Sequence, residues 1–321
     1  MLFYHIFPCF SILNYKVVFV KEKNMRFLID GVFTLPADSS AREKMVERLK
    51  EKHENINSTE IAKSILSRPI EAFYIGSGNE YVTVFAAHHA LESITSNLAY
   101  SLIDFLLSLT DEKMAYDIDC KLLLSKYCFI IVPCVNPDGV EMRYHGADNS
   151  LLRDRQMRMS GGDFSSWQAN ARGVDLNHNY DYRFVEYKEI ERERDISAGP
   201  TLYSGEFPES EPEARGVANL IRTLMPKAVV SLHSQGEEIY AFPDTPAISR
   251  VARRLADITG YERKVPDGTA AYGGLCDYTG SLGIPSFTLE VGKGQNPLPE
   301  SLVTGIFERI SRAIVTLPIL L

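Results

Sequence analysis

Five short runs rich in β-branched and aromatic residues constrain the fold most. They are "IEAFYIG" (70–76), "YVTVFAA" (81–87), "YCFIIVPC" (127–134), "AVVSLH" (228–233) and "SFTLEV" (286–291). Several lack the polar alternation of a half-exposed strand, so they read as strands covered on both faces. Helical patterns fill the gaps at 91–109, 211–225, 247–259 and 299–314. The second is entered through Ser210-Glu211-Pro212-Glu213, a capping-box pattern with proline in the first turn. Strands alternating with helices predict an α/β fold: a twisted mixed β-sheet with helices on both faces.

No repeat, low-complexity tract or linker divides the chain, so residues 25–321 are expected to form one domain. Residues 1–15 are apolar, carry no Lys, Arg, Asp or Glu, and are interrupted by Pro8. The positive charges follow this run rather than precede it, unlike a signal peptide, and it is short for a membrane span. Residues 1–24 therefore read as an upstream extension with Met25 as the start, a weak membrane anchor being the alternative. The run "SSAREKMVERLKEKHEN" (39–55) reads as a solvated helix. Residues 140–172 have no clear period, contain the single tryptophan, Trp167, and read as a long functional loop.

A net charge of −8 argues against nucleic acid as a partner. Five irregularly spaced cysteines with no CxxC argue against a disulfide framework or a cysteine zinc site and fit reduced thiols in the cytoplasm.

Polar residues cluster at the ends of the expected strands. His89 and Glu92 follow 81–87, Asn136-Pro137-Asp138-Gly139 follows 127–134, His233 closes 228–233, and Glu290 lies near the end of 286–291. Sites in open α/β sheets assemble outside the carboxyl ends of the strands. His-x-x-Glu places two metal-ligating groups about one helical turn apart, and a distant histidine completes a His₂Glu set. On spacing alone His88, at i,i+4 from Glu92, competes with His89. A strand-edge histidine pair hydrogen-bonded to its surroundings explains the same residues without a metal. Glu290 is harder to explain as structure, because a carboxylate within an apolar strand is costly to bury.

The ordered set "HALE", "NPDG", "GVDLNHNYDY", "YSGEFPESEPE", "SLHSQGEEIYAFP" and "PSFTLEVGKGQNP" resembles the zinc metallocarboxypeptidases of the carboxypeptidase A type, from about residue 68 to about residue 300. "WQANARGVDLNHNY", "LHSQGEEIY" and "LEVGKGQNPLP" are most similar to the bacterial γ-D-glutamyl-diaminopimelate peptidase branch. The resemblance implies one Zn²⁺ held by His89, Glu92 and His233, a ligand set known for carboxypeptidase A. It implies Glu290 as general base, Asp175 orienting His89, and Asn177 on a substrate carboxylate. The family's oxyanion-binding arginine has no direct match, since Gln168 follows Trp167; Arg172 is the nearest cation and the candidate.

Two departures matter. Leu91 replaces the arginine of "HARE", and His178 replaces the arginine that grips a terminal carboxylate, a bidentate contact that histidine cannot make. His178, Tyr272 and Cys276 become the candidate substrate-side residues, with Thr269 at the place of the family's mobile tyrosine. The implied substrate is a peptide or muropeptide. The alternatives are a conventional carboxypeptidase and an inactive relative that binds cell-wall peptides.

Overall fold

The computed structural model describes residues 27–147, 151–265 and 272–321. The expected N-terminal extension (1–24) and Thr269 lie outside the described residues.

The strands are β1 (Asn57–Lys63), β2 (Pro69–Ile75), β3 (Glu80–Phe85), β4 (Met114–Ala115), β5 (Ile118–Asp119), β6 (Tyr127–Val132), β7 (Ala228–His233), β8 (Glu238–Phe242), β9 (Glu262–Arg263) and β10 (Ser286–Glu290). The helices are α1 (Ser39–Lys52), α2 (Ile94–Ser108), α3 (Cys120–Lys126), α4 (Pro137–His145), α5 (Arg153–Ser160), α6 (Phe184–Glu193), α7 (Pro212–Leu224), α8 (Pro246–Thr259), α9 (Leu275–Ser281) and α10 (Val303–Leu320). Eight strands form one sheet in the order β1-β2-β6-β3-β7-β10-β8-β9, and β4 pairs only with β5.

β6, β3, β7 and β10 run parallel at the centre. β2 and β8 flank them antiparallel. This is the mixed α/β sheet expected from the apolar runs. β6 and β7 are buried at every position because both faces are covered. On one face Val82, Val84, Phe129 and Val230 pack with residues of α2, α8 and α10. On the other, Phe85, Ile130, Val132 and Val229 pack with α7 and α9. After β3 the chain crosses to β6 on one side; β7 later joins on the other. The carboxyl end of β3 is thus a topological switch point, where an open α/β sheet leaves a crevice.

Three local expectations are corrected. α1 is not a freely solvated helix: Met45 and Leu49 are fully buried, and Arg42 donates from Nη1 to the Ala37 carbonyl at 2.6 Å. The stretch 140–172 is not wholly irregular: it carries most of α4 and all of α5, and runs without helix or strand after Ser160. Asn136 caps α4 by accepting from the Gly139 amide at 2.9 Å, with Pro137 as first helical residue. The Ser210 capping box does not form. Glu211 precedes α7 without a side-chain cap, and the Ser210 hydroxyl donates to Glu211 Oε1 at 3.0 Å. Among the described residues no helix is long and apolar enough to cross a membrane.

α7 carries a buried acid with a stability consequence. Burial, with Asp138 and Glu211 nearby, pushes the Glu213 carboxyl up to about 8. The folded chain therefore keeps a proton that the unfolded chain releases near the ordinary value of 4.5. This contribution to unfolding free energy is fully present below about pH 4.5 and falls as pH rises toward 8, by at most about 1.4 kcal/mol per unit. Glu213→Gln removes that slope: urea unfolding across this range shows the wild type losing stability relative to the variant as pH rises. Parallel curves refute the assignment.

Candidate metal centre

β3 ends at Phe85, and Ala86 and Ala87 extend it. The Val135 and Asn136 amides donate to the Ala86 and Ala87 carbonyls, at 2.9 and 3.0 Å, tying the loop after β3 to the loop after β6. The Asn136 side chain tightens this join: its Nδ2 donates to the carbonyls of His88 (3.0 Å), Gln168 (3.1 Å) and Ala169 (3.1 Å). Gly139 is required beneath it, because a Cβ there would lie 2.3 Å from the Ala169 carbonyl oxygen. Trp167 is fully buried and packs on Phe164 under the same loop; it supports the site rather than lining it.

His89 is extended (φ −94°, ψ 128°) and starts a single 3-10 turn, Ala90–Glu92. The expected α-helical turn is therefore a tighter one, closed by the Glu92 amide on the His89 carbonyl at 3.1 Å. It still brings the two side chains together: His89 Nδ1 lies 3.0 Å from Glu92 Oε1. Glu92 Oε2 lies 3.0 Å from His233 Nδ1 at the end of β7 and accepts from the Ser234 amide at 3.2 Å.

One donor atom from each of His89, Glu92 and His233 lies within 4.8 Å of the others. The outer nitrogens are held separately. His89 Nε2 faces Asp175 Oδ1 at 3.1 Å, and His233 Nε2 faces the Ser231 hydroxyl at 3.0 Å. With Nε2–H donating outward, each imidazole presents its Nδ1 lone pair inward, as a metal ligand must. The donor set, two imidazoles and a carboxylate, suits zinc.

The acids and imidazoles are tightly coupled. Burial alone would lower the His89 imidazole, but Glu92 and Asp175 raise it well above its ordinary value. Burial would raise Glu92, but His89 and His233 bring it down to about 2. Burial would also raise Asp175, but His89, with the Leu202 amide, holds it well below the carboxylate range. Asp175 Oδ2 accepts from that amide at 3.0 Å and from Thr201 Oγ1 at 3.2 Å. His88 stands apart from the three. It is fully buried, stacks on His233 at 5.7 Å, and places Nε2 2.9 Å from the Tyr180 hydroxyl. Burial, with His233 and His89 adding to it, keeps His88 neutral.

Glu290 closes β10 in register with His233 on one side and Glu238 on the other. Burial first, then Glu92, pushes its carboxyl up to about 7 against the pull of His233 and His89. Among the described residues no donor is hydrogen-bonded to it. It is thus a proton acceptor beside the ligand triad with its lone pairs uncommitted.

The other candidate residues divide. Asn177 accepts from the Leu275 amide at 3.1 Å, and its Nδ2 lies 3.8 Å from the point where Gly274 would carry a Cβ. His178 donates from Nδ1 to the Tyr272 carbonyl at 2.7 Å and stacks on Tyr187 at 4.3 Å, so its structural work is to hold the segment before α9. Tyr272 takes a hydrogen bond from Arg183 at 3.2 Å and lies under that guanidinium at 4.3 Å. Burial pushes the Cys276 thiol up to about 12, so it is uncharged. Arg172 is placed differently from the candidate ligands. It ion-pairs with Glu211 at 3.2 Å, beside the Glu213 cluster, and makes no hydrogen bond or ion pair with His89, Glu92, His233 or Glu290. Ser231, Thr201 and Tyr180 are additional positioning residues. Ser231 was visible two places before His233 on the same strand face; the other two carry no local signal.

Comparison with known proteins agrees with this geometry. The chain is 32% identical over 273 residues to γ-D-glutamyl-L-diamino acid endopeptidase 1 of Lysinibacillus sphaericus, covering 82% of this chain and 67% of that protein. It is 32% identical over 112 residues to murein peptide amidase A of Escherichia coli K12, covering 32% and 34% of the two chains. The fold superposes on bovine thrombin-activatable fibrinolysis inhibitor, solved with a tick carboxypeptidase inhibitor, with TM-score 0.70, 23% identity and coverage of 89% and 97%. The family is zinc-dependent, and its members are metallopeptidases. Residues 42–304 match the zinc carboxypeptidase family (Peptidase_M14), and the chain belongs to it.

Proposed function

We propose that this chain is a zinc-dependent peptidase that cleaves the γ-D-glutamyl–diaminopimelate amide of peptidoglycan stem peptides. The observation that carries the reading is the convergence of His89, Glu92 and His233 within 4.8 Å, with Glu290 in register beside His233. A zinc ion held by those three groups supplies Lewis acidity toward a carbonyl and toward water. Asp175 and Ser231 fix the imidazole tautomers. Glu290 accepts the proton of the attacking water and returns it to the departing amine nitrogen, a task suited to a carboxyl raised toward neutrality. Asn177 Nδ2 offers a donor to the carboxylate on the leaving side.

The substrate assignment draws on the Lysinibacillus relative, which is named for γ-D-glutamyl-L-diamino acid cleavage. His178 supports it from within the chain. Stacked on Tyr187 and bonded to the Tyr272 carbonyl, it cannot replace a bidentate arginine, which weakens the case for ordinary C-terminal trimming. The test compares kcat/KM for L-Ala-γ-D-Glu-diaminopimelate with that for an N-blocked dipeptide with a free carboxylate. The tripeptide is expected to be preferred by more than about tenfold, and turnover of the blocked dipeptide alone refutes the substrate reading.

A further inference from the structure

The candidate metal centre sits at the carboxyl edge of the sheet, and its two flanks differ. On one flank lie Asn177 and α9, where Leu176, Leu275 and Tyr278 pack into the core over one face of the sheet. On the other lies the loop that follows Glu290, where Val291 and Leu298 pack with Ile306 of α10 into the core over the opposite face. A substrate that runs across the centre with its leaving side at Asn177 brings its acyl side to this loop.

That loop is pinned beside a metal ligand. The Val291 amide donates to the His233 carbonyl at 2.8 Å, and the Gly236 amide donates to the Gly292 carbonyl at 2.9 Å. Further on, Asn296 Nδ2 donates to the Ser234 carbonyl at 2.6 Å, and Asn296 Oδ1 accepts from the Ser234 hydroxyl at 2.8 Å. Residues 292–296 are thus fastened at both ends to the residues that directly follow His233. Their inner side is filled: a Cβ on Gly292 would lie 2.7 Å from Leu298 Cδ1 and 2.8 Å from Ile306 Cδ1. Between the two fastenings Lys293 is exposed, and among the described residues it makes no ion pair. The acids that border it are committed elsewhere. Glu237 pairs with Arg309, Glu238 accepts from the Tyr240 hydroxyl at 2.6 Å, and Glu300 accepts from the Tyr144 hydroxyl at 3.1 Å. Lys293 is also the single lysine or arginine in 85–93, 231–237 and 290–297, the segments that carry the three candidate ligands and Glu290.

The substrate supplies what this lysine lacks. In a γ-D-glutamyl bond the scissile carbonyl belongs to the side chain, so the α-carboxylate of that residue stays free on the acyl side. An α-linked peptide carries only neutral amides in the same direction. We propose that Lys293 binds this α-carboxylate and so selects γ-glutamyl over α-linked acyl groups. The ammonium makes a charge-assisted hydrogen bond to it, a contact that a neutral group replaces only in part. The proposal rests on the peptidase reading for its substrate and adds a separate claim about acyl-side binding.

The test compares L-Ala-γ-D-Glu-diaminopimelate with L-Ala-D-isoglutaminyl-diaminopimelate, in which a neutral carboxamide replaces that carboxylate. The zinc-loaded chain is expected to show a kcat/KM about tenfold higher for the carboxylate form. Lys293→Met, at an exposed position, is expected to keep its zinc and melting temperature. It should lower kcat/KM for the glutamyl substrate about tenfold and leave the isoglutaminyl substrate unchanged, while Lys293→Arg retains the preference. Calorimetric titration with the dipeptides L-Ala-D-Glu and L-Ala-D-isoglutamine reads the same preference without turnover. Equal treatment of the two forms by the wild type, or a preference that persists in Lys293→Met, overturns the proposal. A Lys293-dependent preference in binding, in a chain that cleaves neither tripeptide, overturns the peptidase reading instead.

Discussion

Glu290→Gln lowers turnover by about 10²–10⁴-fold and leaves zinc bound at one ion per chain. Glutamine keeps the shape of the side chain and removes the proton acceptor. Glu290 stands outside the ligand triad, so zinc retention is expected. The substitution also replaces an ionisable group raised to about 7 by burial with a neutral one, so the variant should fold at least as well at neutral pH. Product formation, elemental analysis and thermal unfolding on the same preparation separate these effects. Unchanged turnover refutes the role of Glu290 as base, whereas zinc loss assigns it to the metal instead.

His233→Ala removes zinc. Loss of a partner that merely orients a ligand costs about 10–100-fold in metal affinity, and loss of a ligand should cost more than about 100-fold. The reason is local: Glu92 Oε2 is left with only the Ser234 amide, and the Ser231 hydroxyl loses the imidazole it orients. Zinc titration against a chromophoric chelator reads the affinity directly, and activity should fall with it. A variant that binds zinc as tightly as the wild type contradicts the assignment of this ligand. His88→Gln is the informative control, because His88 is bonded to Tyr180 and belongs to the surrounding packing rather than to the triad.

The parts of the fold that were legible are those where burial dominates. β6 and β7 are covered on both faces and announce themselves as apolar runs, β7 carrying only Ser231 before the closing His233. β1 does not: its residues are mostly exposed, and it exists because its backbone pairs with β2. β8 is too short and too alternating to stand out within "GEEIYAFP". α5 buries only Gln156 and therefore has no apolar stripe to read. α4 did carry a signal, Asn136 as cap and Pro137 as first residue, hidden because the same residues also looked like a motif. The ligand triad was legible through motif order and strand-end placement. The Arg172 ion pair with Glu211 was not, because proximity in sequence says nothing of that carboxylate.

The most direct test is mass spectrometry of L-Ala-γ-D-Glu-diaminopimelate incubated with the zinc-loaded chain, with and without a chelator. The account predicts L-Ala-D-Glu and free diaminopimelate from the zinc-loaded chain, and intact tripeptide once zinc is removed. Intact tripeptide in both samples, cleavage at the L-Ala bond, or the same products from the metal-free chain would contradict it.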